Sequence, residues 1–163
     1  MRRSIAGLVL AGLMACATQG AERIGPIEID VPAGWQASRQ SRTNLKITDG
    51  TLGSQDDTEP GTATAVLDVY VNSRHTPQSY RELVAAEGGT VLGEDVVRVG
   101  AEDATVLDVE GESFAGKWTV VLIARGGILI VYRAAFPHDD EAFRGGRPAL
   151  LEAVRSIRFV RSG

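Results

Sequence analysis

Alternating apolar and polar residues predict strands in the first half of the chain. Residues 27–31, with the sequence Ile-Glu-Ile-Asp-Val, alternate strictly, as expected for a half-buried strand. Residues 35–48 can hold one or two further strands, and residues 63–73 alternate again. Residues 51–62, between them, contain almost no apolar side chain. This segment is therefore predicted to be a long exposed loop.

The first helix is predicted from the residues at its two ends. Thr76 directly precedes Pro77, which suits a helix with a threonine N-cap and a proline in its first turn. Gly88-Gly89 follows and is expected to end the helix. Apolar residues at spacings of three and four form its buried stripe. That stripe consists of Tyr80, Leu83 and Val84.

Four more strands are predicted, at residues 90–99, 103–110, 117–125 and 128–136. The last two flank Gly126-Gly127, which is typical of a two-residue hairpin loop. Such a loop places Ile123 opposite Ile130 in the hairpin. Both strands are apolar at almost every position, so both of their faces should be buried beneath helices or loops.

The end of the chain is predicted to hold a short helix and a longer one. Asp139-Asp140-Glu141 can begin a short helix that runs through Phe143, and Arg144-Gly145-Gly146 is expected to break it. Pro148 then starts the last helix. Phe159 and Val160 follow that helix and close the core. The apolar stripe of the last helix consists of Leu150, Leu151, Val154 and Ile157.

This order of elements predicts an α+β fold. Consecutive strands joined by short loops pair antiparallel, so the expected architecture is an antiparallel β-sheet flanked by helices. The chain has 163 residues, which suits one domain. We assign that domain to residues 26–163.

The N-terminal residues predict export from the cytoplasm. Residues 1–15 combine a cationic start, an apolar run of about ten residues and small residues at its end, as in a secretory signal. Leu13-Met14-Ala15-Cys16 resembles the lipobox of bacterial lipoproteins, which implies cleavage before Cys16 and acylation of that residue. Residues 16–25 would then form a tether. The alternative is a plain secretory signal that is cut after Ala17.

A lipid on Cys16 would hold the protein at a bacterial membrane. Several acyl chains anchor a protein stably, whereas a single chain is marginal. Residue 17, directly after the cysteine, is Ala. An Asp at this position would resemble the signal that retains lipoproteins in the inner membrane of enteric bacteria. We therefore expect the outer membrane if the host has two membranes. Without the lipid, the protein would be periplasmic or secreted.

The predicted domain resembles the PsbP-like and DcrB-like domains. The resemblance rests on the opening Ile-x-Ile-x-Val-Pro-x-Gly-Trp at residues 27–35, the apolar strand at 128–136, and the closing Ser156-Ile157-Arg158-Phe159. It implies an antiparallel sheet between helices. Similar domains serve as photosystem subunits, as partners of a nuclear-transport GTPase and as envelope lipoproteins, and they share no catalytic residues. The resemblance therefore implies a fold and not an activity.

Composition and motifs limit the kinds of binding and catalytic site that the chain can contain. A net charge of −4 argues against broad nucleic-acid binding, and a single cysteine excludes an internal disulfide. His138, Asp139 and Asp140 could suggest a metal site, but solvated charges at a helix N-terminus are the favoured interpretation. Asp56-Asp57 and Glu59 lack the ligand spacing of a calcium loop. No Gly-x-Ser-x-Gly motif is present, and we predict no metal, no cofactor and no catalytic histidine.

These observations favour a membrane-anchored, non-catalytic binding or assembly module of the bacterial cell envelope, with a protein partner there. The alternatives are an envelope hydrolase whose site is assembled across the fold, and a carrier of a small ligand or lipid. An enzyme requires a concave polar cluster with a nucleophile or acid near a base. A carrier requires an apolar cavity.

Overall fold

The computed structural model describes residues 20–51, 61–114, 116–136 and 138–160. These residues form ten strands and two α-helices, with short 3-10 turns at Glu112–Phe114 and Arg125–Gly127. The strands are β1 (Ala21–Ile24), β2 (Ile27–Asp30), β3 (Gln36–Arg39), β4 (Asn44–Thr48), β5 (Ala65–Tyr70), β6 (Thr90–Val99), β7 (Glu102–Gly111), β8 (Gly116–Ile123), β9 (Ile128–Ala134) and β10 (Arg158–Phe159). The helices are α1 (Pro77–Ala86) and α2 (Asp140–Ser156).

The strands form two antiparallel sheets. The larger has seven strands in the order β3-β4-β5-β9-β8-β7-β6, and the smaller has three in the order β1-β2-β10. Every paired strand runs antiparallel to its neighbour. The α+β class with an antiparallel sheet flanked by helices is thus confirmed. The separate three-stranded sheet was not predicted.

The seven-stranded sheet is covered differently on its two faces. Its inner face packs against α2 and the three-stranded sheet, in one large apolar cluster that includes Ile130, Tyr132 and Leu150. Its outer face packs against α1 in a second cluster that includes Tyr80, Leu107 and Val120. The strongly apolar strands β8 and β9 lie near the middle of the sheet, and their residues are buried on both faces, as predicted.

The predicted register of the β8–β9 hairpin is wrong by two residues. Ile123 lies opposite Ile128, and Ile130 lies opposite Val121. The loop is longer than two residues because Ala124 leaves the ladder and the 3-10 turn at Arg125–Gly127 follows it. An even shift keeps every side chain on its original face, so the predicted faces of the two strands are correct.

The predicted break in the last helix is also wrong. Helix α2 is continuous through Gly145, Gly146 and Pro148. The Tyr132 hydroxyl donates a hydrogen bond of 2.6 Å to the Phe143 carbonyl oxygen and holds the first half of α2 against the sheet. A Cβ atom at position 146 would collide with this hydroxyl, so Gly146 permits close packing there.

The three-stranded sheet changes the predicted start of the domain. Ala21–Ile24, which the sequence assigned to the tether, is strand β1 and pairs with β2. Ile24 is fully buried. The domain therefore begins no later than residue 20, and residues 1–19 lie outside the described ranges. Among the described residues, no helix has the length and apolar character needed to cross a membrane.

Candidate binding surface on the open half of the sheet

The outer face of the seven-stranded sheet has a covered half and an open half. Strand pairing places Lys46, Asp68, Val131, Val120 and Leu107 side by side across β4, β5, β9, β8 and β7. The last three belong to the apolar cluster under α1. The first two are charged and lie beyond that cluster. The chemistry of this row therefore changes from apolar to ionic between β9 and β5.

Local capping and one ion pair hold α1 over its half of the sheet. The Thr76 side chain accepts a hydrogen bond from the Ser79 backbone N–H, and the Ser79 hydroxyl oxygen accepts one from the Thr76 backbone N–H. This reciprocal capping box satisfies donors at the helix N-terminus. Arg81 pairs with Glu94 of β6 at 2.5 Å. Tyr80 and Val84 are buried and face the sheet.

We define the outer strip as Ser38, Lys46, Thr48, Asp68 and Tyr70, on β3, β4 and β5. The Lys46 ammonium nitrogen lies 3.5 Å from a carboxylate oxygen of Asp68. Asp68 is only 8% exposed and Thr48 only 7%, whereas Tyr70 is 37% exposed. Burying a carboxylate is unfavourable unless a partner compensates it, and Lys46 supplies the positive charge.

Two shallow grooves lie along this strip. One, of about 260 Å³, is lined mainly by polar residues of β3 and β4, among them Gln36, Ser38 and Lys46. The other, of about 270 Å³, lies between the end of β5 and the segment before α1, where Tyr70 and His75 line it. Lys46 lines the first groove and lies opposite Asp68, and Tyr70 lines the second groove two positions from Asp68 on the same face of β5. The grooves are therefore neighbours along the strip.

Electrostatics couples the strip to the helix beside it. Burial raises the pKa of Tyr70, the negative charge of Asp68 raises it further, and Arg133 opposes the shift. Burial, and then Tyr70, raise the pKa of Tyr80 on α1. Both phenols are therefore protonated hydrogen-bond donors at neutral pH.

The two aliphatic hydroxyl groups of the strip, on Ser38 and Thr48, make local hydrogen bonds. The Thr48 hydroxyl donates to the Gly50 carbonyl oxygen at 2.5 Å, and the Ser38 hydroxyl oxygen accepts from the Gln40 amide at 3.0 Å. Asp68 is paired with Lys46 and lies on the same strand face as Tyr70. A nucleophile requires an adjacent base, and the partners of these two hydroxyl groups within the described residues are a carbonyl and an amide.

The sequence-predicted polar candidates have structural roles elsewhere. Asp139 is the N-cap of α2 and accepts from the Ala142 N–H at 2.9 Å. Asp140 pairs with Lys117 at 2.8 Å, and this hydrogen bond lowers the pKa of the Asp140 carboxyl. The interpretation of these aspartates as charges at a helix N-terminus is confirmed. His138 is exposed, with a φ of 63°.

His75 and the predicted metal candidates are not brought together. The His75 ring packs edge-on against Tyr80, with 5.6 Å between ring centroids. Within the described ranges, no three His, Cys, Asp or Glu side chains are grouped as a metal site would require. Cys16, Asp56-Asp57 and Glu59 lie outside those ranges.

Sequence reasoning missed two polar clusters, one on each face of the sheet. On the outer face, the signal for Asp68 was a carboxylate in the otherwise apolar run Val66-Leu67-Asp68-Val69. On the inner face, Asp108 accepts from the Thr119 hydroxyl at 2.7 Å and pairs with Arg147 of α2 at 2.6 Å. This second cluster joins α2 to the sheet and is structural.

Together, the described residues define an α+β domain with one face of its main sheet half covered. No protein-family model matches the sequence, and no curated protein matches it. Among solved structures, the chain is similar to a Pseudomonas aeruginosa protein of unknown function, with 17% identity, a TM-score of 0.47, and coverage of 88% of this chain and 98% of that one. It is also similar to a Bacteroides thetaiotaomicron protein, with 15% identity, a TM-score of 0.45 and coverage of 89% of this chain; it spans 50% of that protein's length.

Proposed function

We propose that this protein is a membrane-anchored, non-catalytic binding module of the bacterial cell envelope, and that the outer strip binds its protein partner. The observation that carries this proposal is the position of Lys46 and Asp68 in a row that is otherwise closed by α1. An ion pair is expensive to bury and is retained here beside two open grooves. Reversible protein interfaces contain many polar and hydrogen-bonding groups, and the strip presents such groups on a part of the sheet that no helix covers.

The open shape of both grooves favours a binding module over the alternatives. A carrier of a lipid or small apolar ligand encloses most of its cargo, whereas the groove lined by Ser38 and Lys46 is shallow and open to solvent. A hydrolase needs a base beside a nucleophile, and the hydroxyl groups of Ser38 and Thr48 have other partners. A partner protein can instead lie along the strip and hydrogen-bond to Tyr70.

The proposed anchor would keep this surface close to the membrane. Cys16 precedes Ala21, the first residue of β1, by five positions. Five extended residues span at most about 18 Å, so the domain would lie within a short distance of the lipid headgroups. The resemblance to PsbP-like and DcrB-like domains is consistent with an envelope protein of this kind. A partner would then be a neighbouring envelope protein.

Site-specific photo-crosslinking in intact cells tests the binding surface. A photoreactive amino acid replaces Ser38 in the outer strip or, as a control, Glu152 on the exposed side of α2. We expect a discrete crosslinked product from position 38 and none from position 152. Equal labelling at both positions, or none at position 38, would rule out the strip as the binding surface.

Mass spectrometry of the N-terminal peptide tests the anchor. We expect a peptide that begins at Cys16 and carries acyl chains, and we expect Cys16→Ser to abolish membrane retention. An unmodified peptide beginning at Thr18 would show a plain secreted protein. The crosslinking experiment would then still report on the strip, because it does not depend on the lipid.

A further inference from the structure

The free edges of the seven-stranded sheet are very different in length. Strand β3 forms one edge and has four residues, whereas β6 forms the other and has ten. Two large apolar residues on β6 are exposed, Val96 at 59% and Leu92 at 53%. A long edge strand with exposed apolar side chains is a template for pairing with another strand, and proteins usually shorten or cover such edges.

The outward-facing backbone groups of β6 can be assigned from its hairpin with β7. Val99 pairs with Glu102 across a two-residue loop, so these two residues form a hydrogen-bonded pair. The pattern alternates, and therefore Glu94, Val96 and Arg98 point their N–H and C=O groups away from β7. One contact agrees with this assignment: the Val96 N–H donates to the Asp95 carboxylate of its own strand at 2.7 Å.

We propose that β6 pairs antiparallel with β6 of a second copy of this chain, about a two-fold axis at Val96. In this register the Val96 N–H leaves the Asp95 carboxylate and donates to the Val96 carbonyl oxygen of the second copy, and the Val96 N–H of the second copy does the same in return. Glu94 lies opposite Arg98 of the second copy, and Arg98 lies opposite its Glu94. The register thus satisfies the edge hydrogen bonds and also pairs opposite charges on one face.

Charge complementarity favours a second copy over an unrelated strand. A partner strand extends the existing ion pairs of this face when it places a basic residue across from Glu94 and an acidic residue across from Arg98, four positions apart. Strand β6 itself has this pattern in the antiparallel direction, as a two-fold interface requires. Arg81 holds Glu94 and Asp103 holds Arg98 on that face, at 2.5 and 2.6 Å.

Disulfide crosslinking tests the register directly. The full chain with Cys16→Ser contains no other cysteine, so a single cysteine introduced at position 96 is the only thiol. Two residues of a hydrogen-bonded antiparallel pair have Cα atoms about 5.5 Å apart, within the range of a disulfide. We expect Val96→Cys to form a covalent dimer on mild oxidation.

Leu92→Cys is the matched control, because Leu92 is similarly exposed on the same strand. In the proposed register the two copies of position 92 are eight residues out of step, about 26 Å apart. We expect no dimer there. Equal crosslinking at positions 92 and 96, absence of a dimer at 96, or a product containing a different protein would each overturn the proposal.

Charge reversal gives a second, independent test by sedimentation. Glu94→Arg and Arg98→Glu should each weaken the association of the Cys16→Ser chain about tenfold or more, since each places like charges opposite one another. The double variant restores opposite charges and should recover association. Glu94→Arg loses the contact with Arg81, Arg98→Glu loses the contact with Asp103, and the double variant loses both, so the loss of these contacts alone would leave the double variant no better than either single variant. Equal association in all four proteins, or failure of the double variant to recover although it is folded, would contradict the pairing.

Discussion

The two halves of the outer sheet face share strands and register but differ in what lies over them. On the covered half, Val120 and Leu107 are fully buried beneath α1. On the open half, the same row continues as Asp68 and Lys46, with grooves beside them. The difference shows that strand pairing alone does not determine which positions of a row are apolar. The positions that must be apolar are those that a helix covers.

The largest expected effect concerns the covered half. Leu107→Ala should lower the free energy of unfolding by about 2–5 kcal/mol, because it removes a fully buried side chain and leaves a cavity. Ile130→Ala on the inner face should have a similar effect. Chemical denaturation measures both. A loss below about 1 kcal/mol for Leu107→Ala would mean that α1 does not seal this half.

The second prediction compares Tyr132, buried on the inner face, with Tyr70 on the open half, by their effects on the pH dependence of stability. Burial raises the pKa of Tyr132 to about 12, so the unfolded chain releases this proton near pH 10 while the folded chain keeps it. Stability from this group is therefore present below about pH 10 and is lost between about pH 10 and 12, by up to about 3 kcal/mol.

Equilibrium unfolding at several alkaline pH values measures this slope. Tyr132→Phe should remove most of the slope, whereas Tyr70→Phe, on the open half, should remove little. If Tyr70→Phe has the larger effect, the open half is more enclosed than the grooves indicate. An unchanged slope in Tyr132→Phe would contradict the assignment to Tyr132.

The third prediction separates the stabilising role of the ion pair from a binding role. Lys46→Met leaves the nearly buried Asp68 carboxylate without its cation and should cost about 1–3 kcal/mol. The double variant Lys46→Met/Asp68→Leu should regain most of that loss, because apolar replacement of a buried pair is often tolerated. We expect this stable double variant to lose the crosslink from position 38. Retention of the crosslink would show that the pair is not needed for binding.

The smallest effects are expected at the histidines. His75 and His138 are both exposed, and His75→Ala and His138→Ala should each change stability by no more than about 0.5 kcal/mol. Partner crosslinking from position 38 should also persist in His138→Ala, since His138 lies beside α2 rather than in the strip. A strong loss of crosslinking in that variant would move the binding surface away from the open half.

Sequence signals were sufficient where local residues determine the structure. Helix α1 was predicted because Thr76, Pro77 and the apolar stripe are close in the chain. Helix α2 was predicted wrongly because its continuity depends on a distant contact: Tyr132 bonds Phe143 and packs on Gly146. The four-strand meander was predicted. The register of its last hairpin was predicted wrongly, because the same Gly-Gly sequence is also compatible with a loop longer than two residues.

The candidate surface could not be predicted from the sequence in the same way. Alternation places Asp68 and Tyr70 on one face of β5, but it does not show which part of that face α1 leaves open. That depends on the path of the chain between β5 and β6. The lipid anchor at Cys16 stays a prediction, since its residues lie outside the described ranges.

The pairing of β1 with β2 determines how the domain would respond to mechanical force. Gly20 accepts a hydrogen bond from the Val31 N–H at 3.2 Å, and Ala21 lies opposite Asp30 at the open end of this hairpin. A pull on the chain N-terminal to Gly20 would therefore load the β1–β2 hydrogen bonds one after another, as in unzipping. Strand β2 would remain paired with β10 and covered by α2. Force at the N-terminus would thus first detach and extend the residues of β1, while the outer strip remains folded.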